Sequence, residues 1–142
     1  MSEYAFNKVE FAYDSEADAF PPIDPGVTPL GSRVLVQLRS SKRKTKGGII
    51  LTGETRETEQ WNTQVAKVRA VGPVAFHNRN TLEPWPEGAW FKEGDYVRCP
   101  KYGGDRWSIT SEDGDEVIFV MFNDLDVGGR VDGDPLAMKA FI

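Results

Sequence analysis

A chain of 142 residues, 39% hydrophobic and 27% charged, suffices for one compact domain with appended segments and falls short of two large ones. No apolar run approaches the roughly 20 residues that span a bilayer, and Met1-Ser2-Glu3-Tyr4 lacks the basic start and apolar stretch of a secretory leader, so a cytoplasmic protein with no membrane association is expected. The net charge of −5 is carried by residues 1–28, where Glu3, Glu10, Asp14, Glu16, Asp18 and Asp24 oppose Lys8, and the neutral remainder lacks the basic surface that nucleic-acid binding draws on.

Residues 1–28 mix aromatics (Tyr4, Phe6, Phe11, Tyr13, Phe20) with these acids and end in Pro21-Pro22-Ile23-Asp24-Pro25-Gly26, which continues neither a helix nor a central strand. An extended arm and then a boundary are expected. From Ser32 to Arg39 the order places Val34, Val36 and Leu38 on one face at period two, a strand. Ser40 to Gly48 is polar, basic and glycine-terminated, with no apolar face to hold it on a core, so a mobile loop is expected over about residues 40–60. Ile49, Ile50 and Leu51 are three large aliphatics inside it.

The β pattern returns at Val65 to Val71 and stops at Gly72-Pro73. Residues 73–90 read as a loop bearing proline and tryptophan around Pro84-Trp85-Pro86. Gly94-Asp95 turns the chain into a strand through Cys99, and Arg106 to Thr110 and Val117 to Phe122 flank Asp113-Gly114, a strong hairpin signal. Many short strands joined by turn chemistry predict an all-β fold, a small partly open barrel.

The order of these features resembles the GroES family, the co-chaperonins that cap ring chaperonins, from about Leu30 to Val127. The resemblance rests on Pro29-Leu30-Gly31-Ser32-Arg33-Val34 (Ser32 standing where the family usually has aspartate), Gly47-Gly48-Ile49-Ile50-Leu51-Thr52-Gly53, Val68-Arg69-Ala70-Val71-Gly72, Gly94-Asp95-Tyr96-Val97, Tyr102-Gly103-Gly104, Glu116 to Val120 and Asp124-Leu125. Each piece is weak alone, and their order and spacing give them weight. The resemblance implies a GroES-like barrel over residues 29–128, an N-terminal arm (1–28), a C-terminal extension (129–142), and a homo-oligomeric ring of seven. It assigns Gly47, Gly48, Ile49, Ile50 and Leu51 to the contact with a GroEL-like ring chaperonin and places Tyr102 near the inner wall of the lid. Ring contacts are expected through the first and last strands, Val34 to Leu38 and Leu125 to Val127, and the arm is expected to be unnecessary for binding the chaperonin. The sequence departs from the family between Val71 and Phe91, where a roof hairpin would sit, and in both extensions, which would suit a divergent, virus-encoded member acting in the host cytoplasm.

No catalytic site is expected. His77 is the only histidine and Cys99 the only cysteine, so neither a zinc site nor a Cys-His or Ser-His-Asp nucleophile can be assembled, and no metal or cofactor is implied. Glu112, Asp113, Asp115 and Glu116 lack the spacing of a calcium loop and read as a hairpin tip. Trp85, Trp90 and Trp107 read as packing residues, because no basic groove accompanies them as it would around single-stranded nucleic acid. The rival reading from another class is a structural or adaptor protein, such as a viral particle component, that grips neighbours with two arms.

Overall fold

A computed structural model of the chain describes residues 8–9, 15–40, 64–100, 102–112, 114, 116–138 and 140–141. Its centre is strand β2 (Arg33–Leu38), whose alternation of small β-branched and aliphatic residues suits a doubly covered sheet position. β2 pairs antiparallel on one side with β3 (Val65–Val71), from Val34 opposite Val71 to Leu38 opposite Ala66, and on the other with β6 (Glu116–Asn123), from Arg33 opposite Asn123 to Gln37 opposite Phe119. With β4 (Tyr96–Arg98), β5 (Asp105–Thr110) and β7 (Gly129–Arg130) the sheet has, among the described residues, six strands in the order β5-β6-β2-β3-β4-β7, all antiparallel and not closed. This is the small, partly open all-β fold expected of a GroES-like chain. A second sheet of two strands joins β1 (Lys8–Val9) to β8 (Ala140–Phe141).

One face of the sheet holds the larger core cluster. Val34, Val36 and Leu38 of β2 meet Ala66 and Val68 of β3, Val97 of β4 and Ile118, Val120 and Phe122 of β6, with Phe76 and Phe91 closing one end. Trp85 and Trp90 pack against this cluster, and Phe76 meets the Phe91 ring edge-on at 4.9 Å. They are packing residues here. On the other face Leu35, Val117 and Phe119 are also buried, covered by Ile23 and Trp107, whose ring stacks on Phe119 at 6.0 Å. The lid on that face is the arm: Trp107 Nε1 donates to the Pro25 carbonyl at 3.1 Å and Gln37 Nε2 to that of Pro21 at 2.8 Å.

Three expectations change. β2 has a neighbour on each side within the chain, so Val34 to Leu38 has no free edge to offer another subunit; the outermost strands are β5 and β7. Leu125 to Val127 is no strand either, since Asp124–Asp126 forms a 3-10 turn. The arm, read as extended, contains a one-turn helix, α1 (Glu16–Ala19), whose Ser15 cap accepts from the Asp18 N–H at 3.3 Å. In place of a plain loop, residues 76–85 form a short hairpin, with His77 bridged to Pro84 and the Trp85 N–H donating to Phe76 O at 2.9 Å. Its tip is built by Asn78, whose Oδ1 accepts from the Asn80 and Thr81 amides, a local side-chain contact that pattern reading overlooks.

Candidate functional site

The residues assigned to partner contact, Gly47, Gly48, Ile49, Ile50 and Leu51, lie outside the described residues, as do Asp113 and Asp115. What the structure gives is the root from which residues 41–63 depart. Arg39 N–H donates to Val65 O at 2.9 Å, the last rung of the β2–β3 ladder, so Ser40 and Gln64 stand side by side and the intervening segment leaves and returns at one point. A long excursion between two central strands costs loop-closure entropy only logarithmically in its length, so a firm ladder can carry it.

That root is held from outside the barrel. The Ser40 N–H donates to Ala19 O at 2.8 Å, and its hydroxyl to Asp18 O at 3.0 Å. Phe20 and Ala19 are buried against Val65, and the Phe20 ring lies 5.1 Å from that of Tyr96. Glu16 takes a 2.8 Å salt bridge from Lys67 of β3; the hydrogen bonds from Lys67 and then Tyr96 hold its carboxyl below the ordinary value. Burial, with Glu16 adding to it, pushes the Tyr96 phenol far up, keeping it neutral. From the other terminus, Leu136 and Met138 join the same cluster, and the buried Arg39 donates through Nη1 to the carbonyls of Pro135 and Met138, both at 2.7 Å.

Sequence reasoning missed Arg39 and Gln37. Polar residues alternating with Val34, Val36 and Leu38 look like a solvent face, and both are buried. The signal available was the arm's own aromatics and prolines, which needed a surface to cover.

At the other end of β2, Asp124 is fully buried and accepts from Arg79 Nη2 and the Phe76 N–H, both at 2.7 Å, and from the Leu125 N–H at 2.9 Å. Burial alone would raise its pKa, but these donors outweigh it and hold the carboxyl below the ordinary range. Asp124 thus pins the 76–85 hairpin to the barrel. Near it, the Val74 N–H to Gly31 O and Asp124 N–H to Ser32 O bonds gather the segments that carry Leu30, Val74 and Leu125; Leu30 is 70% and Leu125 59% exposed. Tyr102 is likewise 70% exposed, at the start of the turn Tyr102-Gly103-Gly104 before β5. Cys99 is buried and its thiol is pushed up to about 11, which makes it a poor nucleophile at neutral pH. Among the described residues no group of three histidine, cysteine or acidic side chains could hold a metal ion, and no helix is long and apolar enough to cross a membrane.

The described residues thus form a small open antiparallel sheet, with the 76–85 hairpin pinned by Asp124 at one end of β2 and exposed Leu30 and Leu125 beside it. The family model of the Chaperonin 10 Kd subunit matches residues 26–128. The chain belongs to that family. It is 37% identical over 89 residues to Co-chaperonin GroES of Clostridium beijerinckii, covering 61% of this chain and 83% of that protein. It is 33% identical over 99 residues to Co-chaperonin GroES of Clostridium botulinum (70% and 93%) and 34% over 102 residues to the mitochondrial 10 kDa heat shock protein of Oryzias latipes (72% and 90%).

Proposed function

We propose that this chain is a co-chaperonin, the lid of a ring chaperonin in ATP-dependent protein folding, and that it works in the cytoplasm as a homo-oligomeric ring of seven. The observation that carries this is the family match over residues 26–128, whose bounds take in residues 41–63 and the strands β2 and β3 on either side. The chaperonin contact is made by Gly47, Gly48, Ile49, Ile50 and Leu51, in a mobile loop on the sequence reading, and neither nucleic acid, membrane nor cofactor takes part. Exposed Leu30, Val74 and Leu125, together with the outer strands β5 and β7, supply apolar surface and sheet edges suited to subunit contacts. Tyr102 faces the lumen.

The energetics suit a lid that must come off. Burying Ile49, Ile50 and Leu51 is worth about 1.5–3 kcal/mol each, while ordering about ten backbone residues costs roughly 1–2 kcal/mol per residue. One loop binds weakly; a ring of loops gains perhaps 10²- to 10⁴-fold through effective concentration. Ile50→Asp tests this directly, because a carboxylate cannot enter an apolar groove without a large desolvation cost. Loss of chaperonin binding at unchanged assembly mass is expected, and wild-type affinity in that variant refutes the assignment.

A further inference from the structure

Residues 21–25 lie outside the family match, yet the face they cover, with Leu35, Gln37, Arg69, Trp107 and Phe119, lies within it. Two side chains hold this strap, each by a main-chain carbonyl: Gln37 Nε2 donates to Pro21 O at 2.8 Å and Trp107 Nε1 to Pro25 O at 3.1 Å. Between them Ile23 packs on the cluster of Leu35, Val117 and Phe119. The sheet itself orients both donors. Arg69 Nη1 donates to Gln37 Oε1, which turns the Gln37 amide hydrogens toward the strap, and Trp107 is held by its stack on Phe119. A fully buried glutamine is costly unless its amide is bonded, so this group is a fixed reader of whatever chain lies on the face.

Beyond one aliphatic, nothing in these contacts is particular to the strap's own side chains. Three of the five residues 21–25 are prolines, which have no N–H and a fixed φ and so lose little freedom on docking. Among the described residues no backbone N–H of 21–25 bonds to the sheet; that of Ile23 goes to Pro21 O within the strap. The strap also fills only part of the face. A cleft of about 580 Å³ opens between residues 21–23 and residues 110–112, and a second of about 380 Å³ lies between Pro22 and Gln37, Arg69 and Glu93.

We infer that this face is a recognition groove for proline-rich segments of other proteins, of the pattern Pro-x-aliphatic-x-Pro, and that residues 21–25 are its tethered competitor. A ligand sets the carbonyl of its first proline on Gln37 and that of its last on Trp107, with the aliphatic side chain on Leu35 and Phe119. Its flanking residues enter the two clefts. An occupant tethered this closely acts at about millimolar effective concentration. A peptide that binds the emptied groove at about 0.1 mM therefore binds the wild type about tenfold more weakly.

The test uses the full chain as wild type, as Ile23→Asp, and as Ile23→Asp combined with Trp107→Phe, with two fluorescent peptides followed by anisotropy. One peptide carries the strap sequence Phe-Pro-Pro-Ile-Asp-Pro-Gly. The other, Ala-Pro-Lys-Val-Ser-Pro-Ala, shares only the pattern. A carboxylate at position 23 keeps the strap off the apolar face, because it cannot be desolvated there without a large cost. Both peptides are expected to bind Ile23→Asp about tenfold more tightly than wild type. Adding Trp107→Phe removes one hydrogen bond and should weaken both by about 2- to 12-fold. Failure of both peptides to bind Ile23→Asp overturns the inference, and so does binding of the strap sequence alone, which would make the contact a fixture of this chain. Equal affinities for wild type and Ile23→Asp, or affinities indifferent to Trp107→Phe, overturn it as well, since the peptides then lie elsewhere. Should Ile23→Asp fail to fold, Ile23→Ser takes its place with the same refuting results.

Discussion

Gly72→Ala should damage the barrel out of proportion to one methyl group. A Cβ at position 72 would stand 2.7 Å from Arg33 O and nearer still to Gly31 O, inside the 3.0 Å that real Cβ atoms essentially never cross, and both neighbours are backbone. Relief requires the end of β3 to move off the Gly31–Arg33 segment. That move stretches the Gly72 N–H to Arg33 O bond (2.8 Å) and the Val74 N–H to Gly31 O bond (2.9 Å). Two hydrogen bonds at about 0.5–1.5 kcal/mol each and overpacking at about 1–3 kcal/mol, less a few tenths regained from a stiffer unfolded chain, total about 2–5 kcal/mol. In urea, at fixed protomer concentration because assembly contributes to stability, the midpoint should fall by about 1–3 M. The control is Gly128→Ala, where an added Cβ meets nothing within 4 Å and the backbone is not left-handed; it should lie within about 0.5 kcal/mol of wild type. Equal stabilities for the two variants would refute the close approach at Gly72.

Asp124→Asn should cost about 2–3 kcal/mol in urea unfolding, short of the 3–5 typical of a broken buried pair because Arg79 is half-exposed; no loss would mean the pin is ornamental. Because the folded Asp124 carboxyl is held below its ordinary value, its contribution is complete above about pH 4 and is lost as pH falls through the lower folded pKa. The wild-type advantage over Asp124→Asn should therefore shrink as unfolding is measured from pH 5 downwards, and a constant difference would contradict the sign. Trp107→Phe keeps the stack on Phe119 and removes the bond to Pro25 O, so about 0.5–1.5 kcal/mol should be lost, along with protection of residues 21–25 from proteolysis.

The strands were legible because their signals are local. Val34, Val36 and Leu38 alternate, Val65 to Val71 runs to a glycine and proline, and Asp113-Gly114 marks the turn between Arg106–Thr110 and Val117–Phe122. The segment proposed to touch the partner was singled out in the sequence for the opposite reason, that its aliphatics have no periodic face around them, and it lies outside the described residues. What escaped the sequence is contact between distant stretches. Arg39 meets carbonyls 96 and 99 residues away, and Trp107 meets Pro25 across 82. Nothing in the spacing of Gln37 or Arg39 announces a covering arm, and the central position of β2 follows from which strands flank it. The hairpin at 76–85 was hidden likewise, its anchor Asp124 lying well over thirty residues downstream.

The most direct measurement is electron microscopy of a GroEL-type ring chaperonin mixed with this protein in ADP or ATP, alongside the Ile50→Asp variant. Rings of the wild-type sample should carry an added dome of seven-fold symmetry at one or both ends, and those of the variant should remain open. Open rings in both samples, with the protein present in excess and assembled, would contradict the assignment of this chain as a chaperonin lid.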